Sequence, residues 1–259
     1  MKNRTGTFYG IGVGPGDPEL ITLKAVKAIN KVDVIFAASS IKNNYSLAVE
    51  IAKPHISESA DIRLLSFQMS KNENTKKELW LKNSKKILSE LDEGRDVAFL
   101  TLGDSMTYST FGYLMKIIQQ ERPKIKINTI PGIPSYLAAA SKLNIPLVEG
   151  DESLLITSGA RGGKELRKYA GLIDNVVLLK TYRHVKDIND ALSEANLLQN
   201  SCGISKCGRE GQIYYQNVRA LEHRPPDYWS LIIAKKNIEE CVTGGSGNDS
   251  IQQEQKVAI

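Results

Sequence analysis

Residues 100–113 read Leu-Thr-Leu-Gly-Asp-Ser-Met-Thr-Tyr-Ser-Thr-Phe-Gly-Tyr, an apolar strand that runs directly into a Gly-Asp turn. Two other apolar segments also end in glycine-bearing turns: residues 10–18 read Gly-Ile-Gly-Val-Gly-Pro-Gly-Asp-Pro, and residues 130–135 read Ile-Pro-Gly-Ile-Pro-Ser. In open α/β sheets, ligands bind at the carboxyl ends of the parallel strands. The three turns therefore predict one site that is built from three strand ends.

The first half of the chain alternates short segments rich in Val, Ile and Phe with helical periods. This alternation is typical of βαβ units and a parallel sheet. The predicted strands are residues 7–13, 33–37, 62–66, 97–102 and 125–130. The helix before the fourth strand is predicted to begin at a capping box, Thr75 to Glu78, and to stop at Gly94.

The pattern changes after Pro146, where the predicted strands can pair as an antiparallel or mixed sheet. They are residues 153–157, 175–180, 203–206, 212–215 and 229–235, with helices near 164–169 and 185–195. We therefore expect an N-terminal α/β domain over residues 1–147 and a C-terminal α/β domain over residues 148–243. Residues 244–259 begin with a Gly- and Ser-rich run and continue as a polar segment, which predicts a disordered tail.

The composition is that of an ordinary soluble globular protein, with 259 residues, 41% hydrophobic and 24% charged. No apolar run reaches the roughly 18 residues that span a membrane, and the first twenty residues lack the apolar stretch of a signal peptide, so a cytoplasmic protein is predicted. Lys and Arg are spread along the chain, and the net charge is only +5. This charge suits a polyanionic small molecule, and we expect no nucleic-acid and no membrane partner.

Neither a metal site nor a nucleophilic catalytic group is evident. Cys202, Cys207 and Cys241 are too few and too irregularly spaced for a disulfide framework, and no histidine pair stands near them to complete a zinc site. The three histidines lie in separate segments, and we interpret them as surface or loop residues. We therefore expect no bound metal.

The glycine-rich loop, residues 10–17, does not have dinucleotide-binding spacing. Its glycines stand at 10, 12, 14 and 16, so no three of them fit G-x-G-x-x-G. Asp17 is placed to cap a helix that begins at Pro18, and its carboxylate would occupy the position where a pyrophosphate binds. A dinucleotide is disfavoured, and the alternative is a tight turn that needs glycine only for its backbone dihedrals.

In their order, the three turns resemble those of the tetrapyrrole methylase family, S-adenosylmethionine-dependent enzymes that methylate corrin and siroheme precursor rings. The resemblance covers nearly the whole chain. Residues 8–20, the Tyr-Ser-Thr continuation at 108–110 and the Glu-Gly-Asp-Glu-Ser-Leu segment at 149–154 are most similar to the precorrin-2 or cobalt-factor II C-20 methyltransferases of cobalamin biosynthesis. The resemblance implies a two-domain α/β fold, with an N-terminal parallel sheet, a C-terminal mixed domain and the active cleft between them. It also implies a homodimer, and S-adenosylhomocysteine as product.

The resemblance assigns site residues by position. The cofactor contacts would be Pro15, Leu102, Gly103, Asp104, Thr107, Pro134, Ser135, Lys180 and Gly208, and the ring-substrate contacts would be Gly12, Gly14, Asp17 and Tyr108. No catalytic residue is assigned, because a direct methyl transfer between two well-positioned reactants needs no protein nucleophile. The glycine-rich loop, together with basic residues of the second domain, is expected to select the ring without a bound metal, and different strand ends are expected to hold the cofactor.

Several of these roles have alternatives. Asp104 either attracts the methionyl ammonium or caps the next helix, Tyr108 is a pocket wall or a core aromatic, and Lys180 contacts the cofactor or is an ordinary solvated lysine. Pro134 stands where relatives commonly have threonine, which removes a hydroxyl and a backbone donor. Candidates for binding the substrate's carboxylates are Arg161, Lys164, Arg183 and Arg209.

Three other functions remain open at this point. The chain can be a methylase of another ring position, because the cofactor turns are shared within the family. It can act on a macromolecule, as a diphthine synthase-like or ribosomal RNA methyltransferase does. It can also be a non-catalytic ligand-binding module, because a fold does not by itself imply turnover.

Overall fold

The computed structural model describes residues 4–39, 45–67 and 72–236. The predicted tail at 244–259 lies outside these residues. The strands are β1 (Phe8–Gly12), β2 (Val34–Ser39), β3 (Asp61–Ser66), β4 (Val97–Thr101), β5 (Ile127–Ile130), β6 (Leu154–Ser158), β7 (Asn175–Leu179), β8 (Ser201–Ser205), β9 (Ile213–Tyr215) and β10 (Ser230–Lys235).

An α-helix follows each strand from β1 to β7, and the alternation predicted for the first half of the chain is present. They are α1 (Leu23–Ile29), α2 (Leu47–Ala52), α3 (Glu73–Asp92), α4 (Phe111–Glu121), α5 (Ser135–Leu143), α6 (Lys164–Tyr169) and α7 (Val185–Glu194). Single 3-10 turns occupy Pro18–Leu20, Lys53–His55, Gly159–Arg161, Ala170–Leu172 and Val218–His223. Within the described part of the chain, no helix combines the length and the apolar character needed to cross a membrane.

The first five strands form a parallel sheet in the order β3-β2-β4-β1-β5. Ile11 of β1 pairs with Leu100 of β4 on one side and with Ile130 of β5 on the other. Both faces are covered: one buried cluster joins the sheet to α1 and α2, and another joins it to α3 and α4. The predicted parallel N-terminal sheet is confirmed, and the carboxyl ends of β4, β1 and β5 are neighbours.

The other five strands form a mixed sheet in the order β6-β7-β10-β8-β9. Only β6 and β7 pair in parallel, and the remaining pairs are antiparallel. Leu166 of α6 and Ile188 of α7 belong to the buried cluster on one face of this sheet. The predicted mixed C-terminal domain is confirmed.

The opposite face of the second sheet is covered by α5. Ala139 of α5 lies in one buried cluster with Val177, Ile204 and Ile233 of β7, β8 and β10. The last helix before the predicted boundary therefore packs on the sheet that follows it. The boundary near residue 147 falls between the two sheets and remains a prediction.

The predicted start of α3 is wrong. The helix begins at Glu73, and its cap is Asn72, whose Oδ1 accepts hydrogen bonds from the backbone N–H groups of Asn74 and Thr75. Both Asn72 and Thr75 are residue types that cap helices well, and the chain uses the earlier one. The predicted stop at Gly94 agrees with the structure, where Gly94 has a φ of 83° just after the helix.

Candidate active site

Backbone hydrogen bonds join the turns after β1 and β4. The N–H of Gly103 donates to the carbonyl of Gly14 at 2.7 Å, and the N–H of Gly14 donates to the carbonyl of Gly103 at 3.2 Å. Gly14 has a φ of 85° and Gly103 a φ of 68°, a left-handed conformation that glycine adopts without a steric penalty. The backbone conformation at this junction is therefore sufficient to explain why both positions are glycine.

The turn after β5 packs against the same junction. A side chain at Gly12 would place its Cβ 2.6 Å from both the Gly103 carbonyl oxygen and the Gly132 backbone nitrogen, a distance that real Cβ atoms do not show. The predicted convergence of three strand ends is thus present as direct backbone contact. The alternative of a turn that needs glycine for its backbone dihedrals holds at Gly14, whereas Gly12 is required because the neighbouring turns approach it closely.

Asp104 fixes two of the turns to each other. Its Oδ1 accepts from the backbone N–H of Met106 at 2.9 Å and from the Thr107 hydroxyl at 3.1 Å, and its Oδ2 accepts from the N–H of Gly132 at 3.1 Å. Asp104 does not cap the next helix, because α4 begins at Phe111 with Thr110 at its cap position. The capping alternative is wrong, and both oxygens of the carboxylate are engaged within the protein.

The joined turns form one wall of a cavity of 440 Å³, which we call the cleft cavity. The C-terminal domain supplies the other wall from the ends of β7 and β8 and the start of β10. This volume lies within the range of sites that hold small-molecule ligands. The predicted site residues that line it are Pro15, Leu102, Gly103, Asp104, Thr107, Tyr108, Pro134, Ser135 and Lys180.

Four predicted site residues do not line the cleft cavity: Gly12, Gly14, Asp17 and Gly208. Asp17 caps the 3-10 turn that begins at Pro18, as predicted, and its Oδ1 accepts from the Glu19 N–H at 2.9 Å. Gly208 lies against Asp17, since a Cβ at 208 would be 3.3 Å from the Asp17 backbone nitrogen. The ligand contacts assigned to these four residues remain predictions.

Tyr108 and Lys180 face each other across the cleft cavity. The Lys180 Nζ lies 5.4 Å from the ring centroid of Tyr108 and 5.8 Å from that of Tyr228. Tyr108 is 53% exposed and is therefore a wall residue, not a core aromatic. Both residues have positive φ angles, 51° and 59°, a strained conformation for a side-chain-bearing residue that is most often found at functional sites.

The structure adds wall residues that the sequence did not single out: Tyr136, Lys206, Cys207, Tyr228 and Trp229. Burial, and then the negative charge of Asp104, raises the pKa of Tyr136. Burial also raises the pKa of the Cys207 thiol, against a smaller opposing effect of Lys142. Both groups are therefore neutral near pH 7, and neither offers an ionised nucleophile to a ligand.

Among the basic residues predicted to bind substrate carboxylates, Arg209 lines the cleft cavity, whereas Arg161, Lys164 and Arg183 do not. Arg183 lies with its guanidinium 5.0 Å from the ring centroid of Tyr182. The part of the chain that the structure describes contains no group of three or more His, Cys, Asp and Glu side chains arranged to hold a metal ion.

A parallel and a mixed α/β domain with a ligand-sized cavity at their joined strand ends define a known class. Residues 7–221 match the Tetrapyrrole (Corrin/Porphyrin) Methylases, and the chain belongs to that family. It is 41% identical over 193 residues to a probable cobalt-precorrin-2 C(20)-methyltransferase of Methanocaldococcus jannaschii, covering 74% of this chain and 78% of that protein. It is 28% identical over 235 residues to the cobalt-precorrin-2 C(20)-methyltransferase of Salmonella typhimurium, covering 90% and 98%.

Solved structures show the same fold. A cobalt precorrin-4 methyltransferase superposes with a TM-score of 0.67 at 19% identity, covering 88% of this chain and 94% of that one. The uroporphyrin-III C-methyl transferase of Thermus thermophilus, solved in complex with S-adenyl homocysteine, gives 0.63 at 20% identity, covering 89% and 92%. The predicted family and fold class are confirmed.

Proposed function

We propose that this protein transfers a methyl group from S-adenosylmethionine to C-20 of cobalt-precorrin-2 or of its metal-free form. The observation that carries the proposal is the cleft cavity itself, in which three hydrogen-bonded strand-end turns face the strand ends of a second domain. The two relatives described above both act at C-20 by name, in agreement with the predicted ring position. Both names specify the cobalt form, and we therefore favour it as the substrate.

The wall residues fit S-adenosylmethionine as cofactor. At Gly103 the direction of a Cβ is open, with its nearest neighbour, the Pro134 Cα, 3.8 Å away, so a ligand can approach the backbone there. Ser135 opens α5 and lines the same wall beside it. Gly103, Pro134 and Ser135 would hold the cofactor chiefly through backbone groups, while Leu102 supplies apolar surface.

Bound S-adenosylmethionine would supply the methyl group as a sulfonium, which transfers by direct displacement. The protein's own contribution is to orient the two reactants and to limit the access of water, and precise orientation alone can lower the barrier by several kcal/mol. Tyr108, Tyr228 and Trp229 present aromatic surface to the cavity for this purpose. With Tyr136 and Cys207 neutral and both oxygens of Asp104 engaged, these three groups serve as walls and supports.

The proposal is tested by incubating the purified protein with S-adenosylmethionine labelled in its methyl carbon and either cobalt-precorrin-2 or precorrin-2. We expect one methyl per ring, located at C-20 by carbon NMR, with faster turnover of the cobalt form. A label at another ring carbon would identify a methylase of a different position. Absence of transfer to either ring would overturn the proposal.

We also propose that the protein works as a homodimer in the cytoplasm, which the family resemblance implies. Light scattering coupled to size-exclusion chromatography should give twice the 28.6 kDa mass of the chain. A single-chain mass over a wide concentration range would contradict the dimer.

A further inference from the structure

The side chain of Arg209 is held between the two domains. Its guanidinium carbon lies 5.1 Å from the ring centroid of Trp229, so the group stacks on the indole. On its other side the methylenes of Arg209 lie on the glycine-rich loop, where a Cβ at Gly16 would be 2.6 Å from the Arg209 Cγ. Gly16 therefore makes room for Arg209, and the guanidinium is fixed at the wall of the cleft cavity.

One end of this guanidinium is buried without a partner. The Nη1 atom is inaccessible to solvent, and it forms no hydrogen bond with any of the described residues. Arg209 forms no ion pair with a carboxylate in the described ranges, as is also true of the arginines at 161, 183, 219 and 224, but among these five only Arg209 has a buried nitrogen without a hydrogen bond. A buried donor without an acceptor costs about 1–3 kcal/mol, and such groups require an explanation in a native structure.

We propose that Arg209 binds a carboxylate of the ring substrate. A guanidinium presents its N–H groups in a planar fork that matches a carboxylate, and the contacts with Trp229 and Gly16 restrict the movement of that fork. Asp104, on the same cavity wall, is not its partner: its carboxylate accepts from Met106, Thr107 and Gly132 and forms no hydrogen bond or ion pair with Arg209. This inference rests on the proposed function, in which the ring is the substrate.

The ring and the methionyl end of the cofactor both carry carboxylates, and the surroundings of Arg209 favour the ring. A groove of 560 Å³ lies on the other side of Trp229 and shares Lys206, Tyr228 and Trp229 with the cleft cavity. Arg224 also lines this groove. A ligand that occupies both the cleft cavity and the groove would meet three basic side chains, Arg209, Lys206 and Arg224, against one carboxylate of the groove, Asp227. This excess of positive charge suits a polyacid more than a single amino-acid group.

The test compares Arg209→Gln and Arg209→Lys with Arg219→Gln, which removes an equal charge from an exposed residue that lines neither cavity. For each, calorimetry measures the binding of S-adenosylhomocysteine and, separately, of the ring, and turnover gives KM and kcat. We expect Arg209→Gln to weaken ring binding and raise the ring KM by about tenfold or more, the loss of one charge-assisted hydrogen bond. Affinity for S-adenosylhomocysteine should stay within about twofold, Arg209→Lys should recover part of the ring affinity, and Arg219→Gln should match the wild type.

A ring whose carboxylates are methyl-esterified tests whether Arg209 recognises the carboxylates or only supports the structure of the site. The esterified ring should bind the wild type more weakly than the free-acid ring does. In Arg209→Gln this difference in affinity between the two rings should be smaller. Weaker S-adenosylhomocysteine binding with unchanged ring affinity would assign Arg209 to the cofactor and overturn the proposal, as would unchanged ring affinity in a folded Arg209→Gln protein. If the wild type neither binds nor methylates the ring, the proposed function fails first, and the two failures are distinguishable.

Discussion

Gly14 and Gly103 donate backbone hydrogen bonds to each other, at 3.2 and 2.7 Å, across the ends of β1 and β4. The sequence predicted that the glycine-rich loop selects the ring independently of the turns that hold the cofactor. The structure joins the two, because a movement of Gly14 displaces the carbonyl and the amide that position Gly103. A substitution that displaces one of these turns is therefore expected to weaken the binding of both the substrate and the cofactor.

Gly14→Ala tests this coupling. The substitution forces a side chain into a residue with a φ of 85° and places its Cβ 3.2 Å from the Leu20 carbonyl oxygen. We expect the free energy of unfolding to fall by about 1–2 kcal/mol, and both the Kd for S-adenosylhomocysteine and the KM for the ring to rise. Urea unfolding, calorimetry and turnover measure the three quantities.

Gly112→Ala is the control: a Cβ at Gly112 meets nothing within 4 Å, so binding should not change. A rise in the ring KM alone would restore the independent roles of the two turns.

Asp104→Asn should loosen the junction between the second and third turns. An amide has a single acceptor oxygen, so it cannot accept from both Met106 and Gly132 and instead turns its NH₂ group toward one of these N–H donors. We expect a loss of about 1–3 kcal/mol in the free energy of unfolding and weaker S-adenosylhomocysteine binding in calorimetry. Asp92→Asn, which removes one partner of the exposed ion pair with Arg122, should cost less than about 1 kcal/mol and leave binding intact. Equal effects of the two variants would contradict the role given to Asp104.

Lys235 holds the connection between the domains against β10. Its side chain is 3% exposed, and its Nζ donates to the Pro146 carbonyl at 2.8 Å and to Glu149 Oε2 at 2.9 Å. Lys235→Met should lower the free energy of unfolding by about 1–3 kcal/mol, because the Pro146 carbonyl and the Glu149 carboxylate both lose the donor that Lys235 supplies. Limited proteolysis should then cut faster within residues 147–152. Lys236→Met is the matched control: its side chain is 65% exposed, so losing its ion pair with Asp174 should cost less than about 1 kcal/mol and leave proteolysis within residues 147–152 unchanged.

Asp174 should contribute stability that depends on pH. Hydrogen bonds from the backbone and the hydroxyl of Ser153, followed by the charge of Lys236, lower the pKa of its carboxyl group. Because the folded pKa lies below the unfolded one, this contribution is complete above the unfolded value and disappears as the pH falls through the folded value. Asp174→Asn should therefore be less stable than the wild type at neutral pH, and the gap in urea midpoint should narrow as the pH falls below about 4. Asp151→Asn, in the exposed segment between the domains, is the control and should have the urea midpoint of the wild type. If Asp174→Asn still unfolds at a lower urea concentration than the wild type in acid, the pH-dependent contribution given to Asp174 is contradicted.

Local pattern was enough to place the strands. Each predicted strand overlaps an observed one, and the limits of all ten agree within two residues, because runs of Val, Ile and Phe bounded by turn residues are a short-range signal. The start of α3 was misplaced for a related reason. Asn72 and Thr75 are equally suitable as caps by residue type, and only the formed helix shows which one accepts the hydrogen bonds.

The N-terminal wall of the site was also accessible from the sequence, because its residues lie within short motifs at three strand ends. The C-terminal wall was harder to predict from the sequence. Lys206 and Trp229 are far apart along the chain, and they meet because β8 and β10 are neighbours in the second sheet, a pairing that no short motif encodes. Arg209 was a candidate, but neither its buried Nη1 nor its contact with Gly16 could be predicted from local sequence, because each is a tertiary contact.

The contact between Gly16 and Arg209 bears on how the two halves of this chain can be recombined. A chimera that joins the N-terminal half to the second half of a relative at the linker would separate the glycine-rich loop from the arginine it accommodates. A bulkier residue at position 16 or a different side chain at 209 would leave the two halves mismatched at the cleft, even with both sheets intact. In such a chimera the glycine-rich loop and residues 207–209 should therefore come from the same parent protein, although they lie on opposite sides of the domain boundary.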